Sequence, residues 1–191
     1  KKDSGDDADI TNNSLIYASY IKNNSNRYNF FGIEGIGKIT KKGLKIPIGD
    51  YAINPVPRKM MIDLLQEFNI SRADIFLGVK DGENLAKRTL NERLGIIGGI
   101  SIIGTKGFIE PMSEQGWKDS LLPGMDVIKQ DSDLICLTPG GKGEGLSKRY
   151  FGYEDNILLC GNYFGFSIEN SIKKGFKKIH ILGSFQKLIK L

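Results

Sequence analysis

Apolar and polar positions follow two different rhythms along the chain. In the C-terminal third, Leu134–Leu137, Ile157–Cys160 and Ile179–Leu182 form three short apolar runs. They end in small or amide residues: Thr138-Pro139-Gly140, Gly161-Asn162 and Gly183-Ser184. Helical stretches fall between them, one near Leu146–Tyr150 and one carrying Phe166, Ile168, Ile172 and Phe176, stopped by Gly175. Another helical stretch follows Ser184. Short apolar runs alternating with helical patterns predict β-α-β units and a parallel sheet. Ligands of such sheets bind beyond the carboxyl ends of the strands.

The first two-thirds is less regular. Thr11–Ile21 reads as a helix, and Tyr28–Ile33 and Gly37–Thr40 read as strands around a glycine-rich turn. Val56, Met60, Met61, Leu64, Leu65 and Phe68 recur at helical spacing, which predicts an amphipathic helix over Pro55–Phe68. Asn54 suits its cap, and Pro55 and Pro57 suit its first turn. Ile75, Leu77 and Val79 alternate like a half-buried strand, and Ile96–Ile103 is an apolar stretch broken by glycines. This mixed order predicts an α+β domain. Ser113–Lys129 has a helical pattern interrupted by Pro123-Gly124, which places the domain boundary there. The expected organisation is an α+β domain over 1–122 and a smaller α/β domain with a parallel sheet over 123–191.

Composition narrows the chemistry. Among 191 residues, 27 basic against 22 acidic side chains give a net charge of +5, mild enough for an anionic small ligand as well as nucleic acid. Twenty-four glycines point to tight turns and close backbone approaches. Cys136 and Cys160 lie inside apolar runs and read as buried thiols of a reduced, cytoplasmic compartment. His180 is the only histidine. Neither a zinc site nor a Ser-His-Asp triad fits that inventory. No apolar run approaches the roughly 20 residues that span a bilayer. The chain lacks an initiator Met, and Phe185–Leu191 reads as an unfinished amphipathic helix, so a fragment of a longer chain is expected.

Several segments carry candidate chemistry. Asp3, Asp6, Asp7 and Asp9 crowd four carboxylates into seven positions, which is costly unless a cation or a helix start compensates. Asp9 or Thr11 suits an N-cap, which leaves the other acids without a structural reason. An EF-hand fails on Asn12 and Ala18, which stand where Gly and Glu are needed. Gly32-Ile33-Glu34-Gly35-Ile36-Gly37-Lys38 matches the start of a P-loop, but Ile39 replaces the magnesium-holding hydroxyl and strand, not helix, follows. These glycines suit a tight β-turn, and those of Gly95–Thr105 suit a bent, closely packed strand or a surface for a flat ligand. Thr138-Pro139-Gly140-Gly141-Lys142-Gly143-Glu144-Gly145 follows a strand and precedes a helix. Leu146 stands where a dinucleotide fingerprint needs its third glycine, so an adenosine-containing ligand remains open while a dinucleotide is disfavoured. Arg58, Lys59, Lys87, Arg88 and Arg93 form either a solvated face or an anion site. No aromatic residues interleave with them, so a stacking nucleic-acid surface is disfavoured.

Taken together, these segments resemble the cobalt-precorrin-5B C-1 methyltransferases of anaerobic cobalamin biosynthesis, the CbiD type. The resemblance rests on Lys2-Asp3-Ser4-Gly5-Asp6-Asp7-Ala8-Asp9-Ile10-Thr11, on Gly32–Gly37 with Thr40-Lys41-Lys42-Gly43-Leu44, and on Ala52-Ile53-Asn54-Pro55-Val56-Pro57-Arg58. It continues through Gly82–Lys87 with Thr89-Leu90-Asn91, Arg93–Thr105 and Pro111-Met112-Ser113. It weakens after Pro123, where Gly141 departs from the family's proline-glycine-asparagine-like loop.

The resemblance implies methyl transfer from S-adenosylmethionine to carbon 1 of an anionic cobalt-tetrapyrrole, giving cobalt-precorrin-6A. No protein-bound metal is needed, because cobalt arrives with the substrate. In-line methyl transfer depends chiefly on alignment of the two reactants. Asp6, Asp7 and Glu34 are then the catalytic candidates, since the donor is cationic. Thr138, Pro139, Gly140, Asn162, Gly183 and Ser184 are the candidates for the adenosyl part of the donor. Arg58, Lys59, Lys87 and Arg93 suit the substrate carboxylates, and Gly35, Gly37, Gly99, Ser101 and Thr105 suit its flat macrocycle. The alternative is a non-catalytic tetrapyrrole- or nucleotide-binding module. Neither nucleic acid nor membrane is an expected partner, and the sequence leaves a homo-oligomer open.

Overall fold

A computed structural model describes residues 1–6, 9–104 and 113–189. It divides into two compact units, Lys1–Lys41 with Lys45–Met112, and Lys42–Leu44 with Ser113–Leu191.

The first unit centres on a three-stranded sheet in the order β1(Ile16–Ile21), β4(Ala73–Val79), β2(Tyr28–Gly32). Strand β4 pairs antiparallel with β1 and parallel with β2. Alternation along β4 sends Ala73, Ile75, Leu77 and Val79 into the core, where all four are buried. Between β2 and β4 come β3(Lys38–Ile39) and α1(Pro55–Glu67), and after β4 come α2(Gly82–Ala86) and β5(Ile96–Ile97). Strands β3 and β5 pair antiparallel, and bridges from Ile36 to Ile100 and from Ile53 to Ile102 extend the contact.

Helix α1 forms where its periodicity places it, with Pro55 and Pro57 in the first turn and only Pro57 buried. Met61 and Leu65 pack against the core, whereas Met60 and Leu64, on a neighbouring stripe, stay exposed. Asn54 precedes the helix in extended backbone but makes no side-chain cap bond.

The expected helix over Thr11–Ile21 is not formed. Residues Thr11–Asn13 make a turn, with Asn13 at φ 62°, and Ile16–Ile21 becomes β1. The turn-forming Asn12-Asn13-Ser14 breaks the pattern, and the β-branched and aromatic residues that follow pair with β4 from Asp74 to Val79.

The second unit is a parallel sheet with β6(Leu134–Thr138) between β7(Ile157–Leu159) and β8(Lys178–Ile181). Helices α3(Glu114–Asp131), α4(Gly141–Phe151), α5(Phe164–Lys173) and α6(Phe185–Leu188) alternate with the strands. One sheet face, with Ile135, Leu137 and Leu158, packs against Leu121, Met125 and Ile128 of α3 and Phe164 of α5. The other presents Cys136 to Ser147 of α4, with Sγ and Oγ 3.3 Å apart.

Two boundaries differ from the sequence expectation. The division between units falls ahead of α3, and Pro123 lies inside that helix. A proline inside a helix costs about 3 kcal/mol, but Leu121, Met125 and Ile128 anchor the helix on both sides of it. Helix α4 begins at Gly141, directly after β6, and not near Leu146.

Candidate functional site

The order β7-β6-β8 makes β6 a switch point. The chain leaves β6 through α4 to β7 on one side, then crosses through α5 to β8 on the other. Connections depart in opposite directions from such a point and leave a crevice beyond the strand ends. Parallel pairing brings three segments that are distant in sequence to this edge: Thr138-Pro139-Gly140, Gly161-Asn162 and Gly183-Ser184. The ladder runs to their tips, with Cys160 N–H donating to the Thr138 carbonyl at 2.8 Å and Leu182 N–H to the Leu137 carbonyl at 3.0 Å.

Side chains here are fixed or bare. Thr138 is fully buried, and its hydroxyl donates to the Gly140 carbonyl at 2.8 Å and accepts the Gly140 N–H at 3.2 Å. A Cβ on Gly183 would lie 3.1 Å from the Pro139 ring, so the loops after β6 and β8 touch. Asn162 is exposed. Gly140 is extended at φ 166°, Gly141 is helical, and a Cβ on either would meet nothing within 4 Å. Neither packing nor backbone conformation requires glycine at these two positions. The missing side chains leave open space beyond the end of β6, beside the N-terminus of α4, whose N-cap Gly140 brings no capping side chain.

Gly143 plays the opposite part. A Cβ there would stand 2.6 Å from the Leu182 carbonyl oxygen and 2.8 Å from Thr138 Oγ1. It is the close-packing glycine of this loop, a role the sequence comparison with a dinucleotide fingerprint had sought at Leu146. Burial pushes the Cys160 thiol up to about 11 and raises that of Cys136. Both are packing residues of the sheet and not thiolate nucleophiles. His180 shares a 2.7 Å hydrogen bond with the Tyr153 hydroxyl.

In the first unit the candidate residues spread over several roles. Gly35 adopts φ +63°, and a Cβ on it would lie 2.3 Å from the Val79 carbonyl oxygen. A Cβ on Gly99 would meet the Gly35 carbonyl group at 2.4 Å, and one on Gly37 would meet Gly99 O at 2.8 Å. The bare faces of Gly35, Gly37 and Gly99 are thus filled by the chain's own backbone. Ser101 is half-buried, and Thr105 lies outside the described residues.

Glu34 is exposed and accepts a hydrogen bond from the Tyr17 hydroxyl at 2.7 Å. Sequence reasoning missed Tyr17; the signal was Gly78, a glycine inside a strand pattern, which marks a close approach. Arg58 is largely occupied by its own fold. Its Nε donates to the Ile53 carbonyl at 2.8 Å, Nη2 to the Tyr51 carbonyl at 3.4 Å, and its guanidinium lies over the Phe30 ring. Lys59 is exposed and pairs with Asp63 at 2.6 Å; Lys87 is exposed and donates to Asn84 at 2.9 Å; Arg93 is exposed.

The described residues of the acidic stretch, 3–6 and 9, begin no helix. Asp3 accepts the Gly5 N–H at 2.9 Å, and Asp9 accepts from the backbone and hydroxyl of Thr11, both at 2.7 Å, and from Lys2. Burial raises the Asp9 carboxyl, but the Lys2 and Thr11 bonds outweigh it and hold the group below its ordinary value. Asp3 and Asp9 therefore have structural employment. Asp6 is exposed, and Asp7 lies outside the described residues.

The CbiD family model matches residues 1–111. The chain belongs to the CbiD family. It is 42% identical over 195 residues to a cobalt-precorrin-5B C(1)-methyltransferase of Thermosipho africanus (strain TCF52B), covering 100% of this chain and 54% of that protein. A relative of the same name from Methanococcus vannielii is 41% identical over 203 residues, with 100% and 54% covered. The crystal structure of the cobalamin biosynthesis protein CbiD from Archaeoglobus fulgidus is 28% identical, with a TM-score of 0.42, covering 92% of this chain and 55% of that one. The chain spans about half the length of the relatives it matches. Among the described residues, no helix of this CbiD chain is long and apolar enough to cross a membrane.

Proposed function

We propose that this CbiD chain takes part in methylation of carbon 1 of cobalt-precorrin-5B, with S-adenosylmethionine as donor. The observation that carries the donor assignment is the switch-point crevice, whose rim holds two glycines, Gly140 and Gly141, that the fold itself does not need. The substrate and the reaction are those for which the relatives are named.

When bound, S-adenosylmethionine supplies a methyl group on a cationic sulfur, and transfer to a ring carbon passes the positive charge to the acceptor. The residues fit that requirement. Thr138, Pro139, Gly140, Asn162, Gly183 and Ser184 would hold the adenosyl moiety, with the backbone approached closely at Gly140. Asp6, Asp7 and Glu34 offer carboxylates that stabilise positive charge, an effect strongest where donors and charges are preorganised. Lys59, Lys87 and Arg93, all exposed, would receive the substrate carboxylates. Arg58 contributes by bracing the turn before α1.

Calorimetric titration of the intact gene product with S-adenosylmethionine, paired with an assay of cobalt-precorrin-5B methylation, tests the reading. Gly141→Ala is expected to unfold at the wild-type urea midpoint or above it, and Gly140→Ala, at an N-cap where alanine is disfavoured, somewhat below it; both are expected to bind the donor at least tenfold more weakly. Undiminished binding in both variants rejects the crevice assignment. Donor binding without turnover by the wild type favours the non-catalytic binding module.

A further inference from the structure

We infer that Tyr17 is a positioning residue for the Glu34 carboxylate, an assignment that rests on the role proposed above for Glu34. Register provides the starting point. Tyr17 of β1 stands opposite Gly78 of β4, and their neighbours Ile16 and Ala18 stand opposite Val79 and Leu77. Because alternate residues point to opposite faces, Tyr17 rises on the face away from the Ile75, Leu77 and Val79 core. Gly78 offers no side chain, and a Cβ there would lie 2.3 Å from Tyr17 Cζ and 2.5 Å from its hydroxyl oxygen. The phenol ring therefore lies across the central strand, and its hydroxyl reaches Glu34 Oε2 at 2.7 Å.

The backbone of Glu34 is held from both sides. Its carbonyl accepts the Val79 N–H at 2.8 Å, and the next residue, Gly35, is locked against Val79 and Gly82. A fixed backbone still leaves a glutamate several rotatable bonds, which an exposed side chain samples freely. The Tyr17 bond selects one arrangement among them. It occupies Oε2 and leaves Oε1 of an exposed carboxylate for a ligand. The bond also acts on Tyr17, whose hydroxyl Glu34 holds protonated above its ordinary range. The adjoining segments also carry Lys80 and Asp81 after β4 and Glu83 in α2; Asp81 accepts a hydrogen bond from Asn84 at 2.7 Å.

The test uses the intact protein with Tyr17→Phe, which removes only the hydroxyl, and Gly78→Ala, which keeps the hydroxyl but displaces the ring. Glu34→Gln is the reference. Methylation kinetics separate kcat from KM, and Tyr17→Phe combined with Glu34→Gln tests whether the tyrosine acts through the glutamate. Both Tyr17→Phe and Gly78→Ala are expected to lower kcat by about three- to tenfold, the scale of one hydrogen bond to a charged group, and Tyr17→Phe to lower it no further once Glu34 is Gln. KM for S-adenosylmethionine stays unchanged. Wild-type kcat in Tyr17→Phe, or an equal loss whether residue 34 is Glu or Gln, overturns the positioning role. Normal turnover in Glu34→Gln overturns it differently, by removing the role of Glu34 itself while leaving the bond intact.

Discussion

Two glycines of one helix give a matched pair of variants with opposite expected signs. In α4, a Cβ on Gly143 would stand 2.6 Å from the Leu182 carbonyl oxygen, whereas a Cβ on Gly145 would meet nothing within 4 Å. Replacing either glycine by alanine lowers the conformational entropy lost on folding, a gain of roughly 0.5–1 kcal/mol in a helix. At Gly145 nothing opposes that gain, so Gly145→Ala is expected to stabilise by roughly that amount. At Gly143 the new methyl falls roughly 1 Å inside a comfortable non-bonded separation. The atoms it meets are a carbonyl at the end of β8 and the buried Thr138 side chain of β6, neither the free end of a flexible chain. Overpacking of this kind costs about 1–3 kcal/mol. Because the helix term is common to both variants, their difference isolates the steric cost, expected at about 1–3 kcal/mol. Urea denaturation followed by circular dichroism, with equal m-values as a control, measures it. Calorimetry should also find weaker donor binding in Gly143→Ala, since the methyl forces apart the strand ends assigned to the adenosyl group. Equal urea midpoints for the two variants would refute the reasoning and show that the helix accommodates a methyl where the geometry forbids one.

Further expectations follow from single interactions. Arg58→Lys loses the bond to the Ile53 carbonyl and the stacking on Phe30, and should destabilise by about 1 kcal/mol in urea melts; an unchanged midpoint contradicts the bracing role. Cys160, raised to about 11 by burial, and Cys136, raised likewise, should resist thiol reagents at pH 8 until the protein is unfolded; rapid labelling of the native state contradicts this. Hydrogen bonds from Lys129 and Lys177 hold the Asp133 carboxyl down at about 2 against an ordinary 3.8. Its folded value is lowered, so its contribution is present above pH 3.8 and is lost as pH falls through about 2. Asp133→Asn should flatten the acid limb of urea midpoints over that window, and an identical pH dependence in both proteins counts against it.

What was legible in the sequence was local. The apolar runs that become β6, β7 and β8, and the period that becomes α1, each lie within one element, and a short window holds the whole signal. Thr11–Ile21 misleads because its apolar residues fit two periods. The decision is made by β4, which pairs with β1 from more than fifty residues away, and no window spans that distance. Pro123 misleads in the other direction. It is a genuine local breaker, overridden by Leu121 and Met125, both buried in the core of the second unit. The strand-end segments Thr138–Gly140, Asn162 and Gly183-Ser184 were readable because each directly follows its own strand. The bond from Tyr17 to Glu34 was not, since it exists only through the register of a third strand.

Glycines show where sequence reasoning stops and geometry must take over. A bare Cα has three physical explanations: a left-handed φ, a neighbour that leaves no room for a methyl, or an approaching ligand. Sequence alone does not separate them, which is why Gly35, Gly37 and Gly99 were read with Gly140 as ligand-facing. Once a methyl is placed at each position, the first two explanations account for all three residues of the first unit. In the second unit Gly161 is explained by φ +57° and Gly143 by its contact with Leu182. Gly140 and Gly141, like Gly145 and Gly165, are explained by neither, and they are the two that directly follow β6 at the switch point of the sheet. Gly140 is the N-cap of α4 and Gly141 its first residue, so the space they leave open lies at the helix N-terminus, just past the end of β6. For a donor held as proposed, the space beside these two glycines is where its adenosyl part would approach the backbone.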